Sequence, residues 1–388
     1  MNAATATAPV RVPIVTRPLV LMLVAELGAL TSFYLLLSVV PMVVGGVAGA
    51  GAATATLMLA TVAAEPVTPR LVARFGYRAV IAGALLLLGL PALALLAGTS
   101  TTTVLVVCAL RGVGFGVMMV AGGALAAELV PAGRRGEGLG LYGAAVGLPG
   151  VVGLPAGVWL AAHAGFAVVF VAATLTALAG LAVLRALPAR SADPGKPAGI
   201  AAGLRRGALV RPALAFGATA MAAGIVVAFL PLAVTGSATV TVALLAQSVT
   251  ATAARWLAGR HSDRHSDRHG PAALLVPGLI VATAGMLTLV VTTDPAAVVA
   301  GMALFGTGFG ITQNASLATM LGQVSPAGFG MVNAIWSLAY DGGMGLGAAG
   351  FGALATWTGL TAALAVTSLI MLAALRPART AARARLGA

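Results

Sequence analysis

The chain contains about a dozen runs of roughly 20 predominantly apolar residues, separated by short polar connections. A run of that length crosses the hydrocarbon core of a bilayer as an α-helix. Hydrophobic residues make up 60% of the 388 residues and charged residues only 8%, whereas soluble globular chains carry roughly 25% charged residues. Lipid is therefore the expected solvent. The predicted spans are 19–40, 48–66, 77–97, 104–126, 138–162, 165–187, 212–234, 238–258, 272–292, 296–318, 329–354 and 358–376.

The basic residues lie almost entirely in alternate connections between these spans. Of the 22 arginines and lysines, 21 fall on one side, and Arg111 is the exception. This asymmetry follows the positive-inside rule. It predicts a multi-pass protein of the cell membrane, with both termini and the central connection in the cytoplasm and an even number of spans, for which twelve fits best. The formal net charge of +13 thus indicates membrane orientation and not nucleic-acid binding.

Several kinds of site find no support in the sequence. A single cysteine, Cys108, excludes a disulfide framework and a cysteine metal site. No phosphate-binding loop, nucleophile elbow or HExxH motif occurs, so we expect neither an enzyme nor a cofactor. The N-terminus shows no cleavable signal, and none is expected. A tandem duplication of His-Ser-Asp-Arg in a solvated, strand-like loop explains a metal-like alternation without a metal at His261, Asp263, His265, Asp267 and His269.

The sequence repeats itself internally. The Gly-x-Gly-Phe-Gly pattern at 112–116 recurs at 306–310, which sets an offset between the two copies. In the connection after the second span, Pro69 instead pairs with Gly259, and this offset is shorter by the length of one tetrapeptide. The duplicated tetrapeptide at 261–268 supplies the difference, since it adds one extra copy to the second half.

The repeat predicts two six-helix halves in parallel orientation, an arrangement known among transporters. We expect the first half at 1–187, a basic cytoplasmic linker at 188–211 and the second half at 212–388.

The connection after the second span of each half resembles the loop signature of the major facilitator superfamily, G-x-x-x-D-R-x-G-R-R. The second half keeps most of that pattern, whereas in the first half Ala73 stands where the aspartate is expected. The resemblance implies an all-α membrane protein with 12 transmembrane helices in two pseudo-symmetric six-helix bundles. It also implies a gating role for Arg74, Gly76, Arg78, Gly259, Arg260, Asp263, Arg264, Asp267, Arg268 and Gly270.

Two further motifs resemble those of the drug–proton antiporter branch of the superfamily. The stretch that starts at Arg111 is similar to the motif in which an intramembrane arginine supports proton coupling. The fifth span is similar to the antiporter motif, although Leu154 separates a glycine and a proline that the motif joins. Gating and simple close helix approach are equally good interpretations of Gly150, Gly153, Pro155 and Gly157.

Three ionisable residues lie well inside predicted spans: Glu26, Arg111 and Asp341. Each costs roughly 2.5–3.5 kcal/mol or more at a helix centre unless it has a partner or a wet cavity. The resemblance implies that the first and fourth spans line one cavity, where Arg111 could reach Glu26. We expect Glu26 to exchange protons with Arg111 adjusting its pKa; the alternative is a static ion pair. Asp341 is a candidate for a substrate contact or a second proton site, or for a hydrogen bond between helices.

Other polar and aromatic residues in the spans are candidates for lining a substrate cavity, although such residues also serve as contacts between helices. We expect Glu65, at the end of the second span, to have a helix-end role. The candidate lining residues, besides Asp341, are Phe33, Tyr34, Gln247, Gln313, Asn314, Asn333 and Trp336.

These features predict a secondary active transporter that works by alternating access, with proton-coupled efflux of a small amphipathic or drug-like molecule. Its partners would be the substrate, protons and the lipid bilayer, and we expect a monomer. Two alternatives stay open: uptake or facilitated diffusion of a metabolite such as a sugar, and a receptor or regulator that does not transport.

Overall fold

The computed structural model describes residues 16–130, 135–187, 203–264, 270–325 and 328–383. Twelve long helices follow one another along the chain. The first six are α1 (Arg17–Leu37), α2 (Gly46–Ala64), α3 (Thr68–Gly89), α4 (Thr101–Leu129), α5 (Arg135–Ala164) and α6 (Phe166–Ala179). The second six are α7 (Gly207–Ala233), α8 (Ser237–Arg264), α9 (Leu275–Thr288), α10 (Pro295–Leu321), α11 (Phe329–Thr358) and α12 (Leu360–Ala373). A short helix, α13 (Leu375–Arg383), follows them.

The predicted helix count and fold class are confirmed. Eleven helices of the described residues are long and apolar enough to cross a membrane, and α11 is not among these eleven. Seven glycines and one aspartate dilute the apolar character of α11. It is nevertheless 30 residues long and packs against α2 and α7. A helix surrounded by protein does not need a uniformly apolar surface.

Polar residues set the starts of several helices. The Thr16 side chain accepts a hydrogen bond from the Leu19 backbone N–H at 3.4 Å, and a proline follows at the second position of α1. Ser100 caps α4 through the Thr103 N–H at 3.2 Å. Asp294 caps α10 through the Ala296 N–H at 2.9 Å. Such caps satisfy backbone donors that have no partner within the helix.

Six glycines of the described residues have positive φ, and their spacing shows that the two halves repeat the same backbone conformation at these positions. They form three pairs, and one pair has the shorter offset of the sequence repeat while the other two have the longer one. The change of offset falls between α2 and α3 in the first half, and between α8 and α9 in the second. In chain order, with the short-offset pair first, the pairs are Gly46 with Gly236, Gly76 with Gly270, and Gly165 with Gly359.

The repeated glycines of α4 and α10 make the same helix contacts in each half. A Cβ on Gly112 would overlap the Leu57 carbonyl oxygen of α2, and a Cβ on Gly306 would overlap the Gln247 carbonyl oxygen of α8. Close approach of this kind drives helix association in lipid, where no hydrophobic effect operates between helices. The glycine pattern therefore fixes how α4 and α10 sit in their bundles.

The halves meet along two helix pairs. In the first, which we call the α2–α11 seam, a Cβ on Gly51 would lie 2.5 Å from the Ala348 oxygen, and a Cβ on Gly345 would lie 2.9 Å from Met58 Cβ. In the second, α5 packs against α8, and the Ser248 hydroxyl donates to the Gly150 carbonyl at 3.4 Å. The first contact is made by backbone and aliphatic atoms, and the second includes a hydrogen bond between the halves.

Some boundaries differ from those expected. Helix α8 continues to Arg264, beyond the predicted end at 258, so the first His-Ser-Asp-Arg copy is helical and the strand-like loop predicted for it is wrong. Helix α3 begins at Thr68 and bends at Gly76, where φ is 78°. The connection between α2 and α3 is thus mostly helical. The predicted linker 188–211 lies largely outside the described residues.

Candidate functional site

A group of five polar residues lies where the two halves meet, and we call it the interface cluster. The first half contributes Tyr34 of α1 and Glu65, which follows the last residue of α2. The second half contributes Arg255 of α8 together with Tyr340 and Asp341 of α11. Asp341 is only 5% exposed. Because every member comes from a helix of the α2–α11 seam or a helix beside it, relative movement of the halves would change this cluster.

A contact between two carboxyl groups joins the two halves within the interface cluster. The Glu65 and Asp341 carboxyl groups are hydrogen-bonded to each other, and the Tyr34 and Tyr340 hydroxyls interact with each other beside that pair. The glycines of α5 make room for Tyr34, since a Cβ on Gly150 would lie 3.2 Å from the Tyr34 ring. The substrate contact, second proton site and hydrogen bond between helices that were weighed for Asp341 stay predictions.

The contact between two carboxyl groups requires a proton. Two carboxylates at hydrogen-bonding distance cannot both be ionised, because a like charge and burial both disfavour the anion. Burial raises the pKa of Glu65, which lies just beyond the α2 span, above its ordinary value, and the bond to Asp341 partly offsets that rise. Glu65 does lie at the end of α2, as expected, but its side chain also contacts Asp341 in the other half.

Arg111 is buried in the first half, at 2% exposed. Its guanidinium donates to the Ser32 carbonyl at 2.8 Å, to the Ser32 hydroxyl at 3.4 Å and to the Leu88 carbonyl. Beside it lies a cavity of about 10 Å³, which is near the smallest volume that holds one water molecule. Arg111 thus joins α1, α3 and α4 through backbone carbonyl groups.

The predicted contact between Arg111 and Glu26 is not formed. Among the described residues, none of the hydrogen-bond partners of Arg111 is Glu26. Ser32, which Arg111 does contact, lies six residues further along α1, or about 9 Å along the helix axis. Glu26 is 1% exposed and lies against Gly122 of α4. The proton-coupling roles of Glu26, Arg111 and Asp341 stay predictions.

The second half has a group of stacked rings beside the interface cluster, which we call the aromatic wall. Phe216 of α7 stacks on Trp336 at 4.7 Å between centroids and on Tyr340 at 5.8 Å, and Phe309 of α10 lies 5.8 Å from Phe216. The Trp336 indole N–H donates to the Ser316 hydroxyl at 3.1 Å. Of the members of this wall, only Trp336 was predicted from the sequence.

The remaining candidate lining residues are scattered. Phe33 is buried and stacks on Phe115 at 3.7 Å within the first half. Gln247 is 6% exposed and accepts a hydrogen bond from Ser248 at 3.4 Å. Asn314 lies against Gly259, Gln313 is half-buried, and Asn333 is exposed. The structure therefore groups Tyr34, Trp336 and Asp341, and leaves the others outside this group.

The α5 residues predicted to act in gating are placed where helices approach closely. A Cβ on Gly153 would lie 2.7 Å from Tyr34 Cβ, and a Cβ on Gly157 would overlap the Leu35 carbonyl of α1. Pro155 lies within α5 between them. This geometry is that of a helix contact, and gating by these residues stays a prediction.

The residues of the two loop signatures lie at helix ends. Arg74 is exposed over the Phe75 ring at 5.2 Å, and Arg78 donates to the Leu187 carbonyl. Arg260 lies over the Trp256 ring at 4.5 Å. Gly76 and Gly270 occupy the same left-handed position in the two halves. The side chains of Asp263 and Arg264, and the whole of Asp267 and Arg268, lie outside the described residues.

Comparison with known proteins identifies the architecture. A family model described as the Major Facilitator Superfamily matches residues 22–329. No curated protein matches the sequence. Among solved structures, a bacterial homolog to the human lysosomal transporter Spinster, in an inward-facing and unoccupied conformation, has a TM-score of 0.75 at 14% identity and covers 94% of this chain and 96% of its own.

Two other solved structures are similar to the same degree. A mutant of the nucleoside transporter NupG has a TM-score of 0.72 at 12% identity, with 93% of this chain and 99% of its own covered. An autoinhibited POT family peptide transporter has a TM-score of 0.73 at 13% identity, with 94% and 96% covered. At such low identity these similarities establish the fold and say nothing about the substrate.

Proposed function

The chain belongs to the Major Facilitator Superfamily of membrane transporters, and from that premise we propose that it exports a small amphipathic or drug-like compound in exchange for protons. Export would proceed by alternating access, in which the two bundles rock about a site between them. The arginine-rich side would face the cytoplasm, as the positive-inside rule suggests.

One observation carries this proposal: a buried acid adjoins an aromatic wall at the junction of the halves. Asp341 follows Tyr340 directly on α11, and Tyr340 stacks on Phe216. Aromatic faces bind planar apolar or cationic molecules through their π-systems. A carboxyl group beside these rings loses its negative charge when it binds a proton, so protonation can change the affinity for such a molecule.

The first half supports the same proposal through its buried charges. Glu26 and Arg111 are 1% and 2% exposed, and intramembrane ionisable residues commonly belong to proton or substrate pathways. We assign proton uptake and release to Glu26. We assign to Arg111 the role of holding α1, α3 and α4 in register around that site, through its bonds to Ser32 and Leu88.

Flux in proteoliposomes tests the proposal. With an imposed proton gradient, we expect ethidium, an aromatic cation, to accumulate by at least several-fold over the value without a gradient. A Glu26→Gln variant should lose the dependence on the gradient. Asp294→Asn is the matched control, because this exposed residue caps α10 and asparagine caps as well as aspartate.

Each other outcome points to a different protein. Flux of ethidium or of a neutral amphiphile that ignores the gradient would indicate facilitated diffusion. No flux of any probe would favour a receptor. Gradient-driven flux that survives in Glu26→Gln would remove Glu26 from the mechanism.

A further inference from the structure

We propose that Glu65 and Asp341 together form a proton-binding site that holds the α2–α11 seam closed, so that loss of their shared proton releases one half of the molecule from the other. The inference extends the proposed transport cycle, since alternating access needs the halves to part. Its test is a distance, so it can fail or succeed separately from proton-driven flux.

The position of the pair makes it suited to such a role. The seam runs from Gly51 beside Ala348, past Met58 beside Gly345, to Glu65 beside Asp341. The first two contacts involve backbone and aliphatic atoms, which do not respond to pH. The carboxyl pair occupies the end of the seam where α2 leads into α3. Titration there would act on the contact between the halves and not on either bundle alone.

The pair holds the seam as long as at least one proton remains on it. With one proton shared, a carboxyl O–H donates to a carboxylate oxygen, which is a strong, charge-assisted hydrogen bond. With both groups ionised, two negative charges would face each other at a site where Asp341 is 5% exposed, and repulsion would part them.

The other charged and titratable groups around the pair do not titrate in the same pH range. Tyr34 of α1 and Tyr340 of α11 interact with each other, and tyrosine hydroxyls ordinarily ionise near pH 10. Arg255 of α8 acts electrostatically on both tyrosines. The carboxyl pair is thus the group in this cluster that changes charge near neutral pH.

The direction of the pH dependence follows from the raised pKa of Glu65. A separated, hydrated glutamate has a pKa of about 4.3, so contact takes up a proton in the range between that value and the raised one. The stabilisation of the closed seam is complete below the ordinary pKa, declines as pH rises through the raised pKa of Glu65, and is lost when the last proton leaves the pair. Within that range, each pH unit changes the ratio of closed to open seam by about tenfold.

Spin labels on both sides of the seam measure this ratio directly. Cys108, the only cysteine, is buried and would be replaced by alanine. Labels would be attached through Phe75→Cys, which is 56% exposed, and Gly330→Cys, where no atom lies within 4 Å of an added Cβ. Pulsed electron spin resonance on the full-length protein then gives the distance distribution from about pH 5 to about pH 9.

We expect a short distance at low pH and a growing longer population as pH rises. In Glu65→Gln the amide can donate to the Asp341 carboxylate at every pH, so the short distance should persist throughout. In Asp341→Asn the new amide can donate to the Glu65 carboxylate, so the short distance should persist there too. This variant replaces the first if Glu65→Gln folds poorly. Asp294→Asn, at the exposed cap of α10, should keep the pH response of the parent.

Two results would overturn the inference: a parent distance that does not depend on pH, or a pH response that survives in both Glu65→Gln and Asp341→Asn. If the response is lost in those variants while ethidium flux is not driven by protons, the proton-binding site at the seam stands and the proposed coupling fails. If flux is driven by protons but the distance is insensitive to pH, the coupling stands and the site at the seam fails.

Discussion

Position 111 in the first half and position 305 in the second occupy the same place in the repeat, one residue before the glycine that meets α2 or α8. The first half has Arg111 there, bonded to the carbonyl groups of Ser32 and Leu88. The second half has Phe305, which is fully buried and lies 6.1 Å from the Phe309 ring. The same backbone position thus holds a charge in one bundle and an aromatic ring in the other.

That difference extends to the surroundings. Around Arg111 the first half contains a second buried charge, Glu26, whereas around Phe305 the second half contains the aromatic wall. The glycines that bring the helices together are retained in both halves. We infer that close helix contact is required in both halves, and that their interiors diverged at this repeated position, which holds a guanidinium in one bundle and an aromatic ring in the other.

The largest effect should come from placing a charge in the second half. Phe305→Arg replaces a fully buried ring that lies 6.1 Å from the Phe309 ring with a guanidinium, and a charge at a helix centre costs roughly 2.5–3.5 kcal/mol or more. We expect little folded protein, measured as the monodisperse fraction in size-exclusion chromatography. Phe305→Leu is the control. Equal yields of the two variants would show that the second half accepts a charge at this position as the first half does.

An intermediate effect should come from the shared glycines. Gly112→Ala and Gly306→Ala each force a methyl group into a carbonyl oxygen of the facing helix, and overpacking of this kind costs about 1–3 kcal/mol. Thermal unfolding in detergent should show similar losses for both. Gly83→Ala, where an added Cβ meets nothing within 4 Å, should not lose stability. Unequal losses at the two glycines would show that the halves do not share this contact.

The smallest effect concerns the aromatic wall. Trp336→Phe keeps a ring on Phe216 but loses the bond to Ser316 and part of the stacked area. Aromatic contacts are worth about 0.5–1.5 kcal/mol, so the half-saturating concentration of ethidium should rise about twofold to twelvefold with an unchanged pH profile. Trp357→Phe, at an 89% exposed position, is the control. A change in the pH profile would show that Trp336 also acts on the titrating groups and not on substrate binding alone.

Local patterns were enough to predict much of the fold. Twelve apolar runs gave the twelve helices, and both offsets of the sequence repeat reappear in the pairs of positive-φ glycines. The boundary errors are equally informative. Helix α8 continues to Arg264 through polar residues that water can solvate once the chain has left the bilayer, so hydropathy marks the end of a span and not the end of its helix.

The candidate site was predicted only in part. Tyr34, Trp336 and Asp341 were chosen because they are polar or aromatic residues inside spans, and the structure groups them. Phe216 and Phe309 were missed, since a phenylalanine in a transmembrane helix carries no signal of the face on which it lies. Arg111 was expected to reach Glu26, but backbone carbonyl groups, which no sequence pattern displays, are its partners.

The sequence by itself determined the solvent of this protein, its helices and its internal repeat, because each depends on residues close together in the chain or on a regular spacing along it. The tertiary structure alone decided that Glu65 meets Asp341, more than half the chain away. Their meeting depends on how two bundles dock, and a docked surface is set by the summed shape of many side chains and not by any local pattern.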